Sequence, residues 1–228
     1  MDALVNELMK ELNCDTVFTI PVLGGIPVKE SVVVTWIIMA VILVLCIALT
    51  RNLSVENPSR GQIILETIVS GGHNFFKDTL GEHGAEYIPY LMTVTLYIGI
   101  ANLIGLLGFK PPTKDMNVTA ALAFMSIVLI EVAGIRQKGA KGWVKSFAEP
   151  IPIILPINIM EIFIKPLSLC MRLFGNVLGS FVIMELLKLI VPGVLPAVFS
   201  CYFDIFDGLI QAYVFVFLTS LFIKEATE

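Results

Sequence analysis

The stretch "KPLSLCMRLFGNVLGS", residues 165–180, decides how this chain is read. From Pro166 to Ser180 it is as apolar as the interior of a bilayer, yet Arg172 stands in its middle. The nearest carboxylates in sequence, Glu161 and Glu185, are more than two helical turns away on either side. A guanidinium keeps its proton at any ordinary pH. The charge therefore needs a polar cavity or a partner on another segment.

Outward from this stretch, the composition settles the class. Of 228 residues 57% are hydrophobic and 15% charged, with a mean hydropathy of +0.88. That is too apolar for a soluble domain and reads as an integral membrane protein in a lipid bilayer. The net charge of -4 comes with Lys and Arg gathered beside apolar runs, and no basic face for nucleic acid emerges. The start, "MDALVNELMKELNCD", lacks a basic region leading into an apolar one, so no cleaved signal peptide is expected. Cys46, Cys170 and Cys201 lie in apolar runs and Cys14 stands alone, with no CxxC spacing, which argues against a metal or disulfide framework. His73 and His83 read as solvated or interfacial side chains. No cofactor is expected. No GxxxxGK[ST] loop for a nucleotide is present either.

The expected fold is all-α and polytopic: about five transmembrane helices and one interfacial amphipathic helix, in a single membrane domain over residues 1–228. A spanning segment needs about 20 apolar residues in a helix, which satisfies its own backbone. Residues 1–30 form an external N-terminal segment and Ser31–Thr50 the first span. Residues 51–85 follow on the cytoplasmic side. There Ile63, Ile64, Ile68, Phe75 and Phe76 make an apolar face interrupted by Glu66, His73 and Lys77, the pattern of a helix lying at the interface. Residues 86–158 hold a second span near Tyr87–Leu107 and a third near Val118–Ile135, joined by "GFKPPTKDMN". "EPIPIILPIN", broken by Pro150, Pro152 and Pro156, reads as re-entrant or interfacial. Residues 159–228 are two long, strongly tilted runs, Ile159–Val191 and Leu195–Ile223, forming a hairpin. Basic residues after the first and third spans place those connections in the cytoplasm, with the N-terminus outside and the C-terminus, "KEATE", inside.

The polar residues of the hairpin fall in stripes. Counted on a helix from Arg172, residues Ser168, Gly175, Asn176 and Gly179 share its face. Asp204, Asp207, Gly208 and Gln211 are spaced by three, four and seven on the second run. If Arg172 lies level with Gln211, Asp204 lies near Gly179 and Phe181, about 10 Å further along. Glu185 is further out still, while Asn158, Glu161 and Lys165 stand on the inner side. Two polar half-paths separated by a fixed positive charge describe this arrangement, since ionisable groups at bilayer depth cost about 2.5–3.5 kcal/mol on insertion scales and mark ion paths. A structural Arg172–Asp204 ion pair between closely packed helices is the plainer alternative. A stand-alone exchanger gated by Arg172 and Asp204, and a scaffold for other membrane subunits, are further readings. Glu131 belongs either to an inner path or to the solvated interface. Lys165 and Lys188 suit snorkelling ends. Asn102 lines the outer route or bonds a neighbouring helix.

These stretches, with "FTIPVLGGIPVKESVVVTWIIMAV" at residues 18–41, "ANLIGLLGFKPPTKDMNVTAALA" at 101–123 and "GLIQAYVFVFLTSLFI" at 208–223, resemble subunit a of the bacterial F-type ATP synthase over nearly the whole chain. The resemblance implies a non-catalytic stator subunit of the membrane sector, which couples proton or sodium translocation to rotation of a c-ring and hence to ATP synthesis. It implies the bacterial plasma membrane as location, and as partners c-ring subunits, the peripheral stalk subunit b and the remaining synthase subunits. By the same resemblance Arg172 faces a carboxylate of the ring, Asn176 and Gln211 flank it, and Asn102 lies near outer access. Two departures follow. Many members carry an acid nine positions after the arginine, where this chain has Phe181, and Asp204 stands where Glu or His is frequent. Asp207 or Glu185 would then supply the missing acid.

Overall fold

The structure, a computed structural model, describes residues 16–21, 26–51, 53–54, 58–107, 109–147, 153, 155–190 and 194–227. It begins with a hairpin that the helical reading did not anticipate: β1 (Thr16–Ile20) pairs antiparallel with β2 (Ile26–Lys29). The β-branched and aromatic run "TVFTI" favours extended backbone, and a register shift between Thr16 and Phe18 marks a bulge. β2 feeds directly into α1 (Glu30–Thr50), whose first-turn Glu30 complements the helix dipole. α1 is the expected first span, one residue longer.

α2 (Arg60–Leu80) starts where Ser59 Oγ accepts a hydrogen bond from the Gln62 N–H at 3.2 Å. It stops at Gly81, whose φ of 72° allows its N–H to reach the Lys77 carbonyl at 3.0 Å. Phe76 and Leu80 are buried, whereas Ile63, Ile64 and Ile68 are exposed. The helix therefore keeps an apolar surface outside the protein core. A 3₁₀ turn at Glu82–Tyr87 leads into α3 (Ile88–Leu103), and a second at Ile104–Leu107 ends the expected second span.

α4 (Met116–Ser146) outruns the expected end at Ile135, continuing through the basic residues to a break at Gly139, where φ is 72° and ψ 158°. Glycine tolerates that conformation. α5 (Leu155–Ile190) contains Pro156 in its first turn, a position where proline's missing N–H costs nothing. Of "EPIPIILPIN", then, residues from Leu155 are helical, and most of the preceding ones lie outside the described residues. The final run is not one regular helix. α6 (Val194–Ser200) widens into a π-helical segment, Cys201–Asp207, before α7 (Gly208–Thr227). There the Gly208 N–H reaches back to the Phe203 carbonyl. Five helical stretches, Glu30–Thr50, Gly84–Leu106, Met116–Ser146, Leu155–Lys188 and Val198–Thr227, are long and apolar enough to cross a membrane.

Packing gathers the chain into two compact units. The first contains the described residues up to Ile38, Ile98–Ala123 and Leu167–Tyr213. Its core holds Ile38, Ile98, Leu169 and Leu173, with the hydroxyls of Thr113 and Thr119 buried among them. The second contains Met39–Tyr97, Phe124–Pro166 and Val214–Glu228, around Ile88, Leu91, Ile130, Phe215 and Ile223.

Candidate functional site: two polar clefts and an arginine stripe

Leucine decides which way α5 turns at the arginine. Leu169 and Leu173 are fully buried, Ser168, Gly175 and Asn176 are exposed, and Arg172, one turn from Leu169, is half-buried at the border between the two. Among the described residues Arg172 has neither an ion-pair nor a hydrogen-bond partner, so the structural Arg172–Asp204 pair is not formed. Asn176 Nδ2 donates to Gln211 Oε1 at 2.7 Å, and Ser180 Oγ donates to Asp207 Oδ2 at 3.4 Å. Asn176, not Arg172, is therefore level with Gln211, a displacement of one turn from the expected register. The π segment explains the direction, because it uses more residues per length of axis than an α-helix. Gln211 is 3% exposed and its Nε2 is buried without a partner among the described residues.

In the first unit lies a cleft of about 560 Å³ lined by Asn102, Gly105, Glu185, Asp204, Asp207 and Gln211, among others. The three acids expected on the outer approach thus meet, although Asp204 and Asp207 sit on π rather than α periodicity. Their environments differ. Glu185 is paired with Lys188 at 2.7 Å. Asp204 accepts from Ser200 Oγ, and Asp207, among the described residues, only from Ser180 across the longer contact. Asn102 bonds a neighbouring segment, donating to the Gly208 carbonyl at 3.0 Å and accepting from Thr113 Oγ1 at 3.0 Å, and it also lines the cleft.

One residue of this cleft and one behind its Phe181 wall escaped the sequence reading. Ser200 precedes Asp204 by four, a spacing that a search for helical neighbours would have found. Lys114 gives no such signal in the connection "GFKPPTKDMN", yet it is 5% exposed with Nζ 4.3 Å from the centroid of the Phe181 ring. The position without an acid is thus covered by a buried cation on an aromatic face. Next to it Asp115 caps α4, accepting from the Asn117 N–H at 3.0 Å and Asn117 Nδ2 at 2.9 Å. It also accepts from Ser31 Oγ at 2.7 Å and lies 3.7 Å from Lys29 Nζ. Burial pushes its carboxyl up, but these hydrogen bonds and the ammonium together hold it below the usual aspartate value.

The second unit has its own cleft, about 190 Å³, lined by Glu131, Trp143, Asn158, Glu161, Lys165 and Glu225, among others. The break at Gly139 lets the end of α4 turn back, and Trp143 Nε1 donates to Glu131 Oε2 at 2.9 Å. Asn158 Nδ2 donates to the Phe147 carbonyl at 2.9 Å. Lys165 does not snorkel free: it lies 3.3 Å from Glu161 and 3.1 Å from Glu225. Lys188, too, is tied down by Glu185. Each lysine has an acid three or four residues earlier on its own helix. Glu225 had been read only as part of a polar C-terminal end.

Among the described residues no group of three or more His, Cys, Asp or Glu is placed to hold a metal ion. What the larger cleft does gather is three carboxylates, Glu185, Asp204 and Asp207, together with Lys110 and Lys188. Sequence comparison identifies the family. Residues 32–224 match the ATP synthase A chain family. The chain is 37% identical over 204 residues to ATP synthase subunit a of Moorella thermoacetica, covering 89% of this chain and 93% of the relative. It is 34% identical to that of Legionella pneumophila over 90% of each chain. To the sodium ion specific ATP synthase subunit a of Propionigenium modestum it is 32% identical over 216 residues, 88% of this chain and 74% of the relative. With five membrane-length helices and a match that spans all of them, this multi-pass membrane protein belongs to the ATP synthase subunit a family, a component of the synthase's membrane sector.

Proposed function

We propose that this chain, as a single membrane domain, is the stator subunit that forms two offset ion half-channels against a c-ring and couples proton or sodium translocation to ring rotation and ATP synthesis. It contributes no catalytic site. Its specific partners are the c-ring and peripheral stalk subunit b, in the plasma membrane of a bacterium, with the N-terminus outside and the C-terminus in the cytoplasm. Ions from outside enter the cleft of Asn102, Glu185, Asp204 and Asp207. They neutralise a ring carboxylate near Asn176 and Gln211, and leave past Glu161 and Asn158 after the ring has turned.

The observation that carries this reading is an arginine without a resident partner. Arg172 follows Lys165 and precedes Val177 on α5, half-buried, and among the described residues it has neither an ion-pair nor a hydrogen-bond partner. A ring carboxylate that has released its ion gains a cationic partner there, which favours the ionised form. The same fixed charge repels a cation that would pass directly from one cleft to the other. Both effects require that no resident acid neutralise Arg172.

The test is ATP-driven ion pumping in inverted membrane vesicles, with assembly of the complex confirmed for each variant. Arg172→Ala is expected to lower pumping by about 100-fold or more, the scale of losing one preorganised charge. Coupled pumping at the wild-type rate in an assembled Arg172→Ala complex would overturn the proposal.

A further inference from the structure

We infer that Gly105 is a positioning residue for ion transfer in the large cleft, holding the Asp204 carboxylate in place by leaving room for it; the inference rests on the ion-path reading above. A Cβ built on Gly105 would stand 2.9 Å from Asp204 Oδ1 and 3.2 Å from Asp204 Cγ. The carboxylate thus lies against the backbone of residue 105, while Ser200 donates to its other oxygen, Oδ2. One oxygen is bonded and the other is seated in a hollow. That combination fixes the orientation of the group.

A second glycine makes the comparison informative. A Cβ on Gly208 would stand 3.0 Å from Asn102 Cβ, and Asn102 bonds to the Gly208 carbonyl. Two segments therefore mesh reciprocally, each setting a polar side chain over a glycine of the other. The obstacles differ in kind. At Gly208 it is a Cβ, which moves only with its backbone. At Gly105 it is the end of a flexible side chain, which can swing aside. A methyl group at 105 is thus accommodated by displacing the Asp204 carboxylate, and the fold is spared.

The other charged groups lining the cleft are Lys110, Glu185, Lys188 and Asp207. Glu185 is already occupied by Lys188, and Asp207 has only its long contact with Ser180. Asp204 alone among these three acids is held by both a hydroxyl and a glycine hollow. Its carboxylate is the one whose exact position a small change can disturb selectively.

Pumping and ATP synthesis by the assembled complex in vesicles, measured against pH on each side, test the inference in a double-mutant cycle. Gly105→Ala is expected to lower the rate about tenfold, the scale of misplacing a transfer group, and to displace the pH profile on one side of the membrane only. In an Asp204→Asn background the same change should add less than about twofold, because the group it displaces is no longer a carboxylate. Gly71→Ala, where nothing lies within 4 Å of the added carbon, serves as a control expected to leave the rate unchanged. Equal losses in both backgrounds, or a wild-type rate and profile for Gly105→Ala, would overturn the inference. If Gly105→Ala does not assemble, Asp204→Glu probes the same hollow, since the longer chain carries its carboxylate away from residue 105. That variant should reproduce the loss, and wild-type behaviour would count against the hollow. Arg172→Ala in the same vesicles keeps the two ideas apart: continued pumping there defeats the ion path itself, whereas its loss alongside equal Gly105→Ala effects defeats only the positioning role.

Discussion

The two clefts hold acids under opposite conditions. In the larger one, Asp204 and Asp207 accept hydrogen bonds from serine hydroxyls and, among the described residues, have no ion-pair partner, whereas Glu185 is paired with Lys188. In the smaller one, Lys165 sits between Glu161 and Glu225, and the indole of Trp143 occupies Glu131. A carboxylate that must accept and release a travelling cation works best when no fixed cation already neutralises it. A carboxylate that joins two helices requires such a partner. The difference predicts that single substitutions of acids in the larger cleft act on transport, whereas loss of Glu225, which the proposed ion path does not use, acts first on the local structure.

The largest effect expected from this contrast is that of Asp204→Asn, which should lower ATP-driven pumping about tenfold or more with assembly intact, in the range of losing one proton-transfer group. Glu185→Gln, made at an acid already paired with Lys188, should stay within about threefold. Equal losses at both positions in the same pumping assay would erase the distinction between open and occupied acids within this cleft.

A third acid of the same unit sharpens the comparison because it is structural. Asp115 titrates below the usual aspartate value, so its contribution to stability is complete above that value and is lost as pH falls through its lowered folded one. Thermal unfolding of the solubilised complex should therefore show an acid limb that Asp115→Asn flattens, and at neutral pH the variant should be less stable by about 1 kcal/mol, the order of one lost cap. An unchanged acid limb in the variant would remove Asp115 from this role. ATP-driven pumping per assembled complex should not change.

The smallest effect belongs to the smaller cleft. Lys165 is 20% exposed, and Glu225 is 58% exposed. Such a pair contributes about 1 kcal/mol or less. Glu225→Gln should shift the unfolding temperature only slightly, and less at high salt, where screening already weakens the pair. A large loss of pumping from Glu225→Gln, with stability unchanged, would make this cleft resemble the larger one.

Much of this was legible in the residues. An uncharged run such as Ser31–Thr50 has to be a spanning helix, because lipid offers no partner for its backbone. Arg172 with Asn176 on one turn, and acids grouped on the facing run, were visible from helical spacing alone. What spacing did not reveal was register. Gln211 bonds Asn176 instead of lying level with Arg172, a shift in the direction that the π segment favours, and nothing in "CYFDIFD" announces a wider turn. The break at Gly139 also hid Trp143 from Glu131, since a continuous helix would have carried the indole away from the acid.

The sequence by itself thus determined that the chain crosses a membrane about five times, that a permanent charge stands in its longest apolar helix, and which acids share that neighbourhood. Those properties follow from local periodicity and from the cost of exposing polar groups to lipid. Only the tertiary structure decided which acids are open and which are held, that Lys114 lies beneath Phe181, and that Gly105 is a seat for Asp204. Such facts depend on contacts between residues far apart in the chain. A glycine in particular carries no chemical sign of the side chain that will occupy the space it leaves.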